Sequence, residues 1–263
     1  MSTQLNLPGP QVTDQHVVAH ISDLHIGASA TAESRLELTA SYLRARLSGL
    51  SAVVVTGDIA DHGRPAEYAV VRQLLDFDVP VVFVPGNHDD RSAMRSAFDG
   101  MAGTGDEPLD HVVDLGGLAI VACDVIAPGQ PHGEVDDRLV GWIEEVLTEL
   151  NGTPALICMH HNPVDSAVAW IDAIALRDSR RLEKLLLSQP DVVAVLAGHV
   201  HSAMSATFAG HPLVIAPGVS TTVTLPWEAS DVSMHTSEPP GVAFHVVTGR
   251  RVVTHFRTAN PRV

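Results

Sequence analysis

The sequence predicts an α/β fold that finishes in antiparallel strands. Two observations carry that expectation. Short apolar runs rich in Val, Ile and Ala alternate with segments of helical period over the first two hundred residues. After residue 200 the alternation stops, and closely spaced apolar runs follow, separated by Gly, Pro and Ser. Taken in order, buried strands are predicted near 17–22, 52–56, 79–84, 118–123, 155–159 and 192–197. Helices are predicted between them: 32–49, with Leu36, Leu38, Leu43 and Leu47 as its apolar positions, then 65–77, 92–98, 134–150 and 179–188. Pro65 suits the first turn of its helix, where a missing N–H costs nothing. The late runs at 204–208, 212–216, 242–247 and 251–256 read as antiparallel strands. With no internal repeat, low-complexity tract or linker, the chain is expected to form a single domain over 1–263. It has a polar arm at 1–15 and a loop excursion at 224–240 that contains Trp227 and Pro239-Pro240.

Composition narrows the function classes. The 263 residues include 16 Lys+Arg and 31 Asp+Glu, a net charge of −15, with no basic run to displace counterions from phosphates. A long nucleic acid is therefore not an expected partner. No apolar stretch approaches a spanning helix, and the first fifteen residues lack Lys and Arg, so a cytoplasmic protein with no membrane partner is expected. Cys123 and Cys158 sit in apolar runs and are expected to pack as small hydrophobes. The 15 histidines, nearly as many as Lys and Arg together, are the unusual number.

Many of them fall at strand ends. The first strand ends in Asp23-Leu24-His25, two side chains that alternation in an extended segment would point the same way. The second runs into Gly57-Asp58-Ile59-Ala60-Asp61-His62, and the third into Gly86-Asn87-His88-Asp89-Asp90-Arg91, each with a glycine to let the backbone turn. The fifth ends in His160-His161-Asn162-Pro163 and the sixth in Gly198-His199-Val200-His201. One such residue alone reads as a solvated or hydrogen-bonded side chain. Five strand ends in order, at the edge where open α/β sheets bind ligands, read as a metal centre. Imidazole, carboxylate and amide oxygen without thiolate suit borderline divalent ions.

These five blocks resemble the calcineurin-like metallophosphoesterases over nearly the whole chain. Within that superfamily they are similar to class III cyclic-nucleotide phosphodiesterases and glycerophosphodiesterases. Trp170-Ile171-Asp172-Ala173-Ile174 and Pro239-Pro240-Gly241-Val242-Ala243-Phe244-His245 share the likeness. The resemblance implies a four-layer αββα sandwich of two mixed β-sheets flanked by helices. It also implies two transition-metal ions, with Mn, Fe and Zn the leading candidates. Asp23, His25, Asp58 and His201 would hold the first, and Asp58, Asn87, His160 and His199 the second. The implied reaction is hydrolysis of a small phosphodiester, foremost a 3′,5′-cyclic nucleotide, by a metal-activated hydroxide. His88 would assist the leaving oxygen, and Asp61 would orient His88. Two divalent ions against two ligand carboxylates make the site locally positive despite the acidic chain.

Glycerophosphodiesterase and phosphomonoesterase readings use the same centre. A non-catalytic scaffold of the same fold is disfavoured, because every ligand position and the acid are present. Several assignments stay open. His161 competes with His160, which the spacing to Pro163 favours; His62 is either a pocket rim or simply exposed; Arg91 is either a phosphate contact or a solvated first-turn residue. Asn162 stands where relatives commonly carry Pro or His and is a candidate substrate contact. A homodimer is also open, with 224–240 as substrate loop, dimer contact or neither. The other histidines, His16, His20, His111, His132, His211, His235, His245 and His255, are expected on the surface or filling strands.

Overall fold

The computed structural model describes residues 15–260 except 230 and 232, so nearly all of the N-terminal arm lies outside the described residues. Strands β1 (Gln15–Ile21), β2 (Ala52–Thr56), β3 (Val81–Val84), β12 (Gly241–Thr248) and β13 (Arg251–Thr258) form one sheet in the order β13-β12-β1-β2-β3. A second sheet joins β4 (His111–Asp114), β5 (Ala119–Ala122), β6 (Ala155–Cys158), β7 (Val192–Ala197), β8 (Met204–Phe208) and β9 (His211–Ile215) in the order β4-β5-β6-β7-β9-β8. Both sheets are mixed: β1, β2 and β3 run parallel, as do β5, β6, β7 and β9, while β12–β13 and the edges β4 and β8 pair antiparallel.

Side-chain alternation divides the interior into three layers of contact. Val18, Val54 and Val84 of the first sheet pack against Ile120, Leu156 and Leu196 of the second, forming the seam between sheets. Ala19, Ile21, Val53 and Val55 face the other way, onto helices α1 (Ala30–Arg44), α2 (Pro65–Leu74) and α3 (Arg91–Ala97). Val121, Ile157 and Val195 face α4 (Asp137–Glu149), α5 (Ala169–Asp172) and α6 (Ser179–Leu186). The architecture is the expected αββα sandwich. Burial on both faces explains why the central strands read as continuous apolar runs, and every residue of β2, β5, β6 and β7 is buried. Cys123 and Cys158 are free and buried. Among the described residues no helix is long and apolar enough to cross a membrane.

Helix ends depart from the predicted ones where a cap decides them. Ser29 accepts a hydrogen bond from Ala32 N, so α1 starts at Ala30, and its predicted tail becomes a 3-10 turn at Leu47–Gly49. Asp90 likewise accepts from Ala93 N and starts α3 at Arg91. The predicted excursion at 224–240 is partly ordered by pairing, since β10 (Thr222–Val223) and β11 (Met234–His235) form an antiparallel ladder. Arg35 of α1, buried, fastens both ends of this segment, donating from Nε to Val219 O (2.6 Å) and from Nη1 to Glu238 O (2.6 Å).

Candidate metal centre

The seven predicted ligands come together at the carboxyl ends of five strands. β1 leads to Asp23 and His25, β2 to Asp58, β3 to Asn87, β6 to His160, and β7 to His199 and His201. They do not converge by strand alternation as expected. Asp23, His25, Asp58, His199 and His201 have φ of 56°, 44°, 48°, 68° and 54°, the left-handed region that side chains with a Cβ seldom occupy. Strain of this kind persists only where surrounding contacts enforce it, and it concentrates at functional sites. Here Asp23 N and His25 N donate to Gly57 O and Asp58 O, and His199 N donates to the Asp23 carboxylate. The glycines also differ in role. Gly57 turns the chain, at φ 88°, as predicted, whereas Gly86 is needed for proximity, because a Cβ there would overlap Asp58.

Three of the four candidate imidazoles are oriented by an outer partner; the fourth, His199, turns Nδ1 toward His160 and has no partner on Nε2 among the described residues. His25 Nδ1 donates to Asp61 Oδ1 (2.9 Å) and His160 Nδ1 to Thr56 O (2.7 Å), while His201 Nδ1 pairs with Thr221 Oγ1 (2.8 Å). This leaves Nε2 of each of these three rings pointing inward, the arrangement in which a second hydrogen bond fixes a metal-ligating histidine. Asp58 Oδ2 stands between two groups, 3.4 Å from His25 Nε2 and 3.3 Å from His160 Nε2. His25 Nε2 and His201 Nε2 are 3.2 Å apart, as are His160 Nε2 and His199 Nδ1. Asn87 Oδ1 is buried with no hydrogen-bond partner in the structure. Lone pairs facing lone pairs, two carboxylates and an orphaned amide oxygen fit a pair of divalent cations.

The electrostatics agree. Burial alone would lower the His25 and His160 pKa values. Hydrogen bonding to Asp61 and the charges of Asp58 and Asp23 raise His25 nonetheless, and Asp58 carries His160 up to about 9. Burial would raise Asp58, yet His160 and His25 hold it well below the usual carboxylate range. The cluster therefore attracts positive charge. Burial keeps His199 and His201 below the ordinary histidine value, as neutral donors.

His88 lies in the same pocket with its Nδ1 donating to the Asp61 backbone carbonyl at 2.9 Å, which turns Nε2 toward the cavity. The Asp61 carboxylate is 3.7 Å from His88 and bonds His25 instead, so it orients the His25 imidazole more directly than the candidate acid. His62 is exposed, bonds Glu67 at 2.9 Å and is not among the residues lining the cavity. His161 is buried, with Nε2 donating to Pro131 O, and its ring rests 4.5 Å from that of His199. Asn162 donates to Val164 O and does not line the cavity, so it is not the substrate contact it could have been. Arg91 is neither a phosphate contact nor a solvated residue; it holds the buried Asp124 through two bonds, Nε–Oδ2 at 2.7 Å and Nη2–Oδ1 at 2.9 Å.

Asp89 is the organiser that sequence reasoning passed over. Its carboxylate accepts from Ile59 N, Ala60 N, Gly86 N and Tyr68 Oη, tying the second and third strand ends together. Its place beside Asn87-His88 was the available signal. His20 and His245 are strand-filling as expected but wholly buried, and they bond each other at 3.1 Å. The cavity over the cluster has a volume of about 280 Å³. His25, Asp58, Asn87, His199 and His201 form its floor, and Trp170, Ile174 and Met234 are among its walls.

The sequence profile of the calcineurin-like phosphoesterases matches residues 16–203. The chain is 35% identical over 214 residues to a "Probable cyclic nucleotide phosphodiesterase" of Rhodococcus erythropolis, covering 77% of this chain and 70% of that one. It is 28% identical over 251 residues to the "Glycerophosphodiester phosphodiesterase GpdQ" of Enterobacter lignolyticus, covering 91% and 90%. Its fold is similar to the crystal structure of a dimetal phosphatase from Danio rerio, with a TM-score of 0.65 at 18% identity over 93% of this chain and 99% of that one. With the profile spanning well over half its length, the chain belongs to the calcineurin-like phosphoesterase family.

Proposed function

We propose that this protein is a dinuclear metal-dependent phosphodiesterase acting on small phosphodiesters, first among them 3′,5′-cyclic nucleotides. The observation that carries the reading is Asp58, set between two groups of inward-facing donors, with Asp58 itself and Asp23, His25, His199 and His201 held at left-handed backbone angles. Asp23, His25, Asp58 and His201 would hold one ion, and Asp58, Asn87, His160 and His199 the other; Mn, Fe and Zn suit the donor set. Bound there, the ions supply Lewis acidity and a nucleophile at neutral pH.

The chain's own groups do the rest. His88, oriented by Asp61 O, presents Nε2 to the cavity, where it can protonate a departing alkoxide. Asp61 fixes the tautomer of His25. A pocket of about 280 Å³ admits a small phosphodiester and not a folded nucleic acid. A glycerophosphodiester is the second reading, supported by the length over which the Enterobacter lignolyticus relative aligns.

Metal-loaded protein should hydrolyse bis(p-nitrophenyl) phosphate, chelation should abolish the activity, and Asn87→Ala should reduce it strongly. Full activity after complete metal removal refutes the proposal. His88→Ala should lose about 10²–10⁴-fold with alkoxide leaving groups and much less with p-nitrophenolate; equal losses count against proton donation by His88.

A further inference from the structure

The walls of the cavity differ in character from its floor. Away from the candidate ligand cluster, the described residues that bound it are Ala28, Ala32, Trp170, Ile174 and Met234, with the hydroxyls of Ser29, Ser220 and Thr221 among them. Trp170 and Met234 are two of the few large apolar side chains left exposed, at 42% and 37%. An indole held in water beside a polar site needs a reason, since its burial elsewhere would have been favourable.

Both side chains are also braced. Trp170 sits on α5, flanked by the fully buried Val168 and Ile171. Ser166 N and Oγ donate to Asp172 Oδ1 at 2.7 and 2.6 Å, closing that short helix onto its own entry. Met234 belongs to the β10–β11 ladder, whose flanking segment Arg35 bolts to α1. A flat aromatic face and a polarisable thioether, presented on fixed backbone next to a phosphate-cleaving centre, match a planar π-system joined to a phosphodiester. A glycerol or ethanolamine group offers no such face.

Resting on the phosphodiesterase reading, we infer that Trp170 and Met234 form the platform on which the substrate's nucleobase stacks, and that this platform registers the presence of a base but not its identity. Reading a base edge takes amide or charged side chains, as in bidentate contacts to adenine or guanine. Among the described residues, the apolar side of the cavity has none. Stacking tolerates every base, because each has a π-face.

Two measurements test this. The first compares kcat/KM for 3′,5′-cyclic AMP, 3′,5′-cyclic GMP and the 3′,5′-cyclic phosphate of 1-deoxyribose, which lacks a base. Wild-type protein should favour both nucleotides over the abasic compound by about 10-fold or more, with cyclic AMP and cyclic GMP within about 3-fold of each other. Trp170→Ala should collapse the preference for a base mainly through KM, and Trp170→Phe should retain most of it. The second reads binding alone: in a Trp142→Phe/Trp227→Phe background, cyclic AMP should quench the remaining indole emission. Losses of equal size on abasic and base-bearing substrates, absence of quenching, or strong discrimination between the two purines would overturn the platform. Quenching without hydrolysis of any phosphodiester would keep the platform and overturn the phosphodiesterase reading instead.

Discussion

Acid should unfold this protein partly through a pair of histidines remote from solvent. His20 on β1 and His245 on β12 share the face that looks into the seam between sheets, one diagonal step apart in the β1–β12 register. Their rings form a chain with two threonines: His245 Nδ1 with Thr254 Oγ1 at 2.8 Å, His245 Nε2 with His20 Nδ1 at 3.1 Å, and His20 Nε2 with Thr56 Oγ1 at 2.8 Å. One proton on each ring satisfies all three bonds in either direction. A second proton on both rings would set N–H against N–H, and even one places a charge where no solvent reaches it. Burial accordingly pushes His245 down to about 3 from 6.5 and holds His20 well below its ordinary value, with His245 adding repulsion.

The sign follows from proton counting. Between pH 6.5 and about 3 the unfolded chain protonates residue 245 and the folded chain does not. Stability is complete above 6.5 and falls with pH by about 1.4 kcal/mol per unit for this ring alone. By pH 5 the loss is about 2 kcal/mol, and His20 adds in the same direction. Guanidinium unfolding of chelated wild type and His245→Gln, measured from pH 7 to pH 5, isolates the effect. The substitution lowers stability at every pH through lost hydrogen bonds, but it should flatten the slope by about one proton. Parallel curves would refute a neutral, buried His245.

Two further expectations concern residues around the site. Arg91→Ala leaves the buried Asp124 carboxylate without its bidentate partner and should destabilise the fold by about 3–5 kcal/mol, with KM for small phosphodiesters little changed; a large rise in KM without loss of stability would restore the phosphate-contact reading. Asp61→Ala frees His25 Nδ1 and should weaken metal retention about 10–100-fold, read by metal analysis after dialysis; unchanged retention would remove Asp61 from the ligand frame.

The strands were legible because burial on both faces leaves a continuous apolar run, as in Val53-Val54-Val55. The candidate ligand set was legible because Asp, Asn and His rarely stand at five successive strand ends by accident, and the structure brings those residues together. β4, with four residues and an exposed alternate face, carries too little apolar signal to be read. The roles of the second layer were hidden for another reason, namely distance along the chain. Arg91 meets Asp124 33 residues on, and His20 meets His245 225 residues on, so no local pattern announces either pair. Backbone conformation was equally invisible. Asp-x-His read as alternating strand residues gave the right convergence for the wrong reason, since both residues sit at positive φ.

Those left-handed positions bear on how this chain could be engineered or drift. Asp23, His25, Asp58, His199 and His201 each hold a backbone shape that glycine would adopt more cheaply, at roughly 1–3 kcal/mol apiece. Selection for thermal endurance alone would work to relieve that strain at the candidate ligands, against the hydrogen bonds they accept, and a requirement for catalysis opposes the change. A library screened for folding without an activity filter should lose its chemistry before its shape.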